Sequence, residues 1–134
     1  MIQKIEYRNR LLALVVRASY EEEGVNFLTP NDNPLQLGVL KHRQGTAIRP
    51  HTHRSLPRVV EQVQEVLHVA RGEIEVSFYG KKGKRIRSTT VRSGDTILLV
   101  SGGHGFSILK DSKIIEVKQG PYYGPDEDKQ QLSM

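Results

Sequence analysis

Short apolar runs separated by turn-forming residues follow one another along most of the chain. From Gly24 onward each run is closed by Gly, Pro, Asn or Asp, which is the pattern of an all-β domain. We therefore predict strands at Val25–Leu28, Leu35–His42, Thr46–His51, Glu65–Ala70, Glu73–Tyr79, Lys84–Val91, Thr96–Val100, Gly105–Leu109 and Lys113–Gln119. Many short strands at close spacing favour a sandwich or a barrel over a parallel sheet.

The two ends of the chain have different patterns. Residues 5–18 mix helix and strand signals, because Leu14 blurs the helical period of the apolar positions around it. We expect a short helical or irregular N-terminal arm there. The polar tail at 120–134 contains Pro121 and Pro125, and we predict an irregular C-terminal arm. The core of the barrel then occupies residues 24–119, approximately, of a single domain at 1–134.

Composition limits the chemistry that the chain can perform. Its 134 residues suffice for one domain with one core. The chain has no cysteine, so disulfides and thiolate metal sites are excluded. Any metal must be held by His, carboxylate or water, which favours a divalent iron, manganese, nickel, cobalt, zinc or copper ion.

Hydropathy argues against a membrane protein. The longest apolar run near the start is Leu11–Val16, whereas a spanning helix needs about 20 apolar residues. The pattern of a signal peptide is also missing. We therefore expect a cytoplasmic protein with no membrane partner.

Much of the net charge of +5 comes from one segment. Five basic residues fall within one short segment: Lys81, Lys82, Lys84, Arg85 and Arg87. Gly80 and Gly83 lie inside this segment and strand-like runs flank it, which predicts a hairpin tip. A nucleic-acid surface is the alternative, but no aromatic residues interleave the basic ones. We expect no nucleic-acid partner.

Four residues could hold a metal ion. His51 and His53 are two positions apart in a predicted strand, so their side chains would point to the same face, together with Arg49. Glu65 opens a strand whose inward face is otherwise apolar, and a carboxylate there is costly unless it is paired or bound to a metal. His104 follows the Gly102–Gly103 corner and is the last candidate.

These residues resemble the two motifs of the cupin family. Gly45, His51 and His53 fit the start of the first motif, G-x5-H-x-H-x3–4-E-x6-G, and Glu65 and Gly72 fit its end. Gly94 and Gly102 match the frame of the second motif, G-x5-P-x-G-x2-H-x3-N, with His104 one residue early. A looser resemblance links Gly24–Pro30, Gly102–Phe106 and Glu116–Tyr122 to small stand-alone cupins of polysaccharide and nucleotide-sugar pathways.

The chain also departs from the cupin pattern. Eleven residues separate His53 from Glu65, which is more than the first motif allows. Val100 stands where proline is usual, and no asparagine closes the second motif. Glu61 lies inside the long insertion and could compete with Glu65 as a ligand. We prefer Glu65 because its distance to Gly72 fits the motif and because it begins a strand.

The resemblance implies a jelly-roll barrel, also called a double-stranded β-helix, with one divalent metal on His51, His53, Glu65 and His104. It implies an enzyme of isomerase, lyase or dioxygenase type acting on a small hydroxylated, sugar-like or carboxylate metabolite. A non-catalytic sugar-binding or small-molecule-binding cupin is the alternative. We predict substrate contacts from Arg49, Gln36 and Gln119. We also expect a homodimer, since small barrels tend to cover exposed edges.

Overall fold

The structure, a computed structural model, describes residues 1–130, and its regular secondary structure over that range is almost entirely β-strand. The all-β prediction is therefore confirmed at the level of fold class. The elements are β1 (Ile2–Tyr7), β2 (Arg10–Val16), β3 (Gly24–Phe27), β4 (Gly38–Lys41), β5 (Glu65–Tyr79), β6 (Arg85–Arg92), β7 (Thr96–Leu99), β8 (Gly103–Lys118) and the one-turn helix α1 (Pro125–Asp128).

The described residues divide into two compact units. The first, which we call the sheet unit, comprises Met1–Tyr20 and the residues from Val63 onward. The second, which we call the loop unit, is Glu21–Gln62. The sheet unit contains a six-stranded antiparallel sheet in the order β1-β2-β7-β5-β6, with β8 on the other edge of β5. This sheet curls into a half-barrel.

Strand β5 organises the sheet. One of its edges pairs with β7 over Glu65–His68 and with β6 over Glu73–Tyr79, and the other edge pairs with β8 along its length. The sequence predicted two strands separated by a turn at Gly72. The structure instead has one continuous strand that bends there, since Gly72 has a φ of +101° and the β5–β8 register shifts on both sides of it.

The expectation of a helical or irregular N-terminal arm is wrong. β1 and β2 form a hairpin, closed by a two-residue turn in which Arg8 and Asn9 both have positive φ. This conformation suits the twist of paired strands. β2 then pairs with β7, so five consecutive residues from Leu12 to Val16 are all buried. A strand buried on both faces shows no alternation, which explains the ambiguous pattern.

The core lies inside the curled sheet. Phe78 is its largest fully buried side chain, with 1% of its surface exposed. The core is apolar throughout and draws on five of the strands: Ile5, Leu12, Ala13, Val15, Leu67, Val69, Ile74, Val76, Phe78, Val91, Ile97 and Leu99. Burial of these side chains is the main stabilising contribution to the unit.

The loop unit has little regular structure. β3 and β4 form a two-stranded antiparallel ladder in which Phe27 faces Gly38. The strand predicted at Thr46–His51 is wrong, because residues 42–64 contain no strand. Pro50 removes a backbone donor that a ladder needs, and the side chains from Lys41 to Val63 are exposed.

The C-terminal arm contains the helix α1, which begins at a proline as helices often do. Residues 131–134 of the predicted arm lie outside the described range. No helix among the described residues is long and apolar enough to cross a membrane.

Candidate functional site

Glu65 is positioned by the first residue pairs of β5. It pairs with Leu99 on one side and with Lys118 on the other. Leu67 shares its face of the strand and lies in the apolar core. The Glu65 side chain is only 16% exposed, so its carboxylate lies at the rim of that core.

The Glu65 carboxylate contacts the imidazole of His104. Glu65 Oε2 and His104 Nε2 are 3.5 Å apart. His104 belongs to β8 and pairs with Phe78, thirteen positions after Glu65 along β5. A straight strand of that length would span about 43 Å, far beyond the reach of two side chains. The bend at Gly72 therefore brings the two ends of β5 together and creates the contact.

His104 also sets the charge of its partner. The hydrogen bond from the His104 ring lowers the pKa of the Glu65 carboxyl. Burial acts in the opposite direction, and electrostatic interactions with His104, Lys118 and Lys129 lower the pKa of Glu65 further. The net effect is a pKa below the ordinary value for glutamate. Glu65 is thus held as a carboxylate, the form that binds metal ions.

Two glutamines lie beside this pair. The backbone N–H of Gln64 donates to Gln119 Oε1 over 2.8 Å, which fixes the amide of Gln119 next to the start of β5. Gln119 Nε2 is buried and has no hydrogen-bond partner among the described residues. A buried donor without a partner costs about 1–3 kcal/mol, so an acceptor that reached this nitrogen would stabilise the structure.

His51 and His53 lie close together in the loop unit. Their ring centroids are 5.3 Å apart, with the rings at 71° to each other. Both side chains are exposed and belong to an irregular segment. The two imidazoles are therefore neighbours, although the strand expected to align them does not form.

The tautomer of His51 follows from its hydrogen bond. His51 Nδ1 lies 2.8 Å from the backbone carbonyl of Arg49. A carbonyl can only accept, so Nδ1 must carry the proton. The lone pair of the neutral ring is then on Nε2. Histidine ligands of metals are commonly oriented by the same type of hydrogen bond.

The remaining predicted residues belong to the loop unit. Arg49 is exposed and contributes its carbonyl to His51. The amide of Gln36 closes the turn before β4: Nε2 donates to the carbonyls of Pro30 and Asn33, and Oε1 accepts from Thr29 Oγ1. Glu61, the alternative ligand, is exposed in the irregular segment.

The structure thus forms two pairs from the predicted ligands, Glu65 with His104 and His51 with His53. Over residues 1–130, no group of three or more His, Asp or Glu side chains comes close enough to hold a metal. Sequence reasoning missed Gln64, which is 1% exposed and contacts the carbonyl of Val100. Its only signal was a polar residue directly before Glu65.

Comparison with known proteins adds no assignment. No protein-family model, no curated protein and no solved structure matches this chain.

Proposed function

We propose that the chain is a cupin-type protein that binds one divalent transition-metal ion through His51, His53, Glu65 and His104. The observation that carries the proposal is the contact between Glu65 and His104. It joins a carboxylate and an imidazole from opposite ends of a bent strand, at the rim of an apolar core. Carboxylate and imidazole are both ligands of divalent transition metals, and this contact places one of each at the same point.

The donor set fits a borderline divalent ion. Glu65 is held in its ionised form, and Nε2 of His51 is free to coordinate. His53 adds a second imidazole beside His51. A divalent ion held by these groups would supply Lewis-acid polarisation or oxygen activation at its remaining coordination positions.

We further propose that the ligand is a small hydroxylated, sugar-like or carboxylate metabolite. Gln119 Nε2 is the donor for its oxygen atoms, because this buried nitrogen has no partner among the described residues. Arg49 can bind a carboxylate through its planar fork of donors. On this proposal the protein is an enzyme of isomerase, lyase or dioxygenase type.

A non-catalytic binding protein is the second candidate. The side chain of Gln119 favours a binding role over catalysis, since an amide binds oxygen atoms but does not transfer protons at neutral pH. His104 already engages the Glu65 carboxylate, which leaves that carboxylate less free to act as a general base.

Two measurements test the proposal and separate its two forms. Elemental analysis of protein purified without a metal-binding tag should give one divalent ion per chain, and His51→Ala/His53→Ala should lose it. A panel of sugars, nucleotide sugars and small hydroxy acids is then assayed for both binding and conversion. Binding with conversion supports the enzyme, and binding alone supports the non-catalytic binding protein. Metal content unchanged in the double variant would refute the metal site.

The homodimer also stays a proposal. β8 pairs with β5 on one edge, and no other described strand pairs with it. The exposed residues of β8 include the apolar Ile108 and Ile115. An edge strand with exposed apolar side chains is suited to pair with another chain. Antiparallel pairing of two copies about Ser112 would set Asp111 of each copy opposite Lys113 of the other. Light scattering at micromolar concentration should give twice the chain mass, and a monomer would exclude the dimer.

A further inference from the structure

A cleft opens at one end of the sheet unit, where three chain corners converge. It has a volume of about 830 Å³. Its walls come from the β1–β2 turn, the β5–β6 turn and the corner between β7 and β8 at Gly102–Gly103. Ligand sites for small organic molecules have volumes of about 300–1,000 Å³. The cleft therefore has room for one such molecule.

The charge of the cleft has one sign. Five of its lining residues are cationic and none is acidic: Arg8, Arg10, Lys81, Lys82 and Lys84. Within the described chain, no ion pair engages any of these five side chains. Arg85, from the same basic segment, pairs with Glu75 at 3.2 Å instead. Five cations without an acidic partner among the described residues thus line the cleft.

The floor of the cleft is apolar and aromatic. Leu12 and Ile86 pack with the core, and Tyr79 is half-buried at the end of β5. Two guanidinium groups lie over the ring of Tyr7: Arg8 Cζ is 5.1 Å and Arg87 Cζ is 5.2 Å from the ring centroid. Such contacts orient the cations. The cleft combines a charged rim with a surface for a planar ring.

The walls are fixed by backbone hydrogen bonds. In the β5–β6 turn, the N–H of Gly80 donates to the Lys84 carbonyl over 2.9 Å, and the N–H of Gly83 donates to Gly80 over 3.0 Å. At the third corner, the N–H of Val100 donates to the Leu12 carbonyl over 2.9 Å. A binding site whose backbone is already held in place by hydrogen bonds loses less conformational entropy when its ligand binds.

From these observations we infer that the basic cleft binds a phosphorylated small molecule with a planar ring, of the nucleoside phosphate class. A phosphate group carries a charge of about −1.5 to −2, so a diphosphate matches several cations where one carboxylate would match one. The ring lies on Tyr79, Leu12 and Ile86. This inference does not depend on the proposed metal site, since no residue of the set His51, His53, Glu65 and His104 lines the cleft.

Calorimetry on metal-stripped, dialysed protein at low ionic strength tests the inference, with ADP, pyrophosphate and adenosine as probes. ADP should bind at least about tenfold more tightly than either of its two halves, because both parts of the cleft contribute. Added salt should weaken ADP and pyrophosphate binding but not that of adenosine. Because the metal is removed first, the result stands apart from the outcome of the metal analysis.

Two variants assign the binding to the cleft. Lys82→Glu/Lys84→Glu should weaken ADP binding at least about tenfold. The control Arg54→Glu/Arg58→Glu changes the net charge equally on exposed positions of the loop unit that do not line the cleft, and should leave the affinity within about twofold. Tyr79→Leu should weaken ADP and adenosine binding but leave pyrophosphate binding unchanged.

Three results would overturn the inference. The first is no measurable binding of ADP. The second is equal affinity for ADP and pyrophosphate, which would leave the ring without a site. The third is tight binding of a single-stranded oligonucleotide by a protein that does not bind ADP, which would make the basic hairpin a nucleic-acid surface.

Discussion

Replacing Gly72 by alanine tests whether the bend in β5 requires a residue without a side chain. Its φ of +101° is rarely adopted by L-residues, and forcing alanine into it costs about 1–2 kcal/mol. The added Cβ would also overlap the Asp111 carbonyl oxygen and Ser112 Oγ and lie 2.7 Å from Ser112 Cα. Overpacking of this kind costs about 1–3 kcal/mol. We expect Gly72→Ala to lower the free energy of unfolding by about 3 kcal/mol.

Urea denaturation followed by circular dichroism measures this loss. Gly102→Ala is the matched control, because Gly102 has a φ of +81° in the same unit and its added Cβ would meet only ordinary contacts, Leu12 Cδ2 at 3.4 Å and the Tyr79 carbonyl oxygen at 3.7 Å. In Gly102→Ala the free energy of unfolding should fall only by the cost of the unfavourable backbone conformation, about 1–2 kcal/mol. Equal stability of the two variants would refute the argument that the close approach of β8 requires glycine at position 72.

The remaining predictions concern a buried acid and the core. Asp95 accepts the backbone N–H groups of Ala18 and Arg92 at 2.8 and 2.9 Å and pairs with Arg17 at 3.0 Å. Burial raises its pKa, but these donors together hold it below the ordinary value. Asp95→Asn should therefore destabilise the protein by about 2 kcal/mol at pH 7, and the deficit should shrink as the pH falls below about 4, through the folded pKa. A pH-independent deficit in urea titrations would contradict this assignment. Phe78→Ala should lower the free energy of unfolding by about 3–5 kcal/mol, and a loss below about 1 kcal/mol would show that Phe78 is not central to the core.

Much of the sheet follows from local patterns. β6 and β7 form within one residue of their predicted bounds, because turn residues flank both strands: Gly83 precedes β6, and Gly94 separates β6 from β7. β5 and β8 were each predicted as two shorter strands. In the structure, Gly72 bends β5 without ending it, and β8 pairs with β5 as one continuous strand. Whether a glycine ends a strand or bends it depends on the partner strand, which local sequence does not specify.

For similar reasons, only part of the candidate site could be predicted from the sequence. Alternation in β5 was enough to place Glu65 on the face of the apolar core. Its contact with His104 depends on the curl of the whole sheet and could not be read from spacing alone. The basic cleft was missed because Tyr7 is remote in sequence from the lysines, and because Tyr79 precedes the basic segment instead of lying within it. The aromatic residues sought within the basic segment are supplied by neighbouring strands.

Metal analysis of single variants tests the central proposal most directly. Wild-type protein, Glu65→Gln and His68→Ala are loaded with the same divalent ion, dialysed and measured by elemental analysis, with circular dichroism as the check of folding. His68 is a fair control because its Nδ1 bonds to Thr96 Oγ1 within the sheet and has no place in the proposed ligand set. We predict one ion per chain in the wild type and in His68→Ala, and less than about a tenth of that in folded Glu65→Gln. A full ion per chain in folded Glu65→Gln would contradict the proposal.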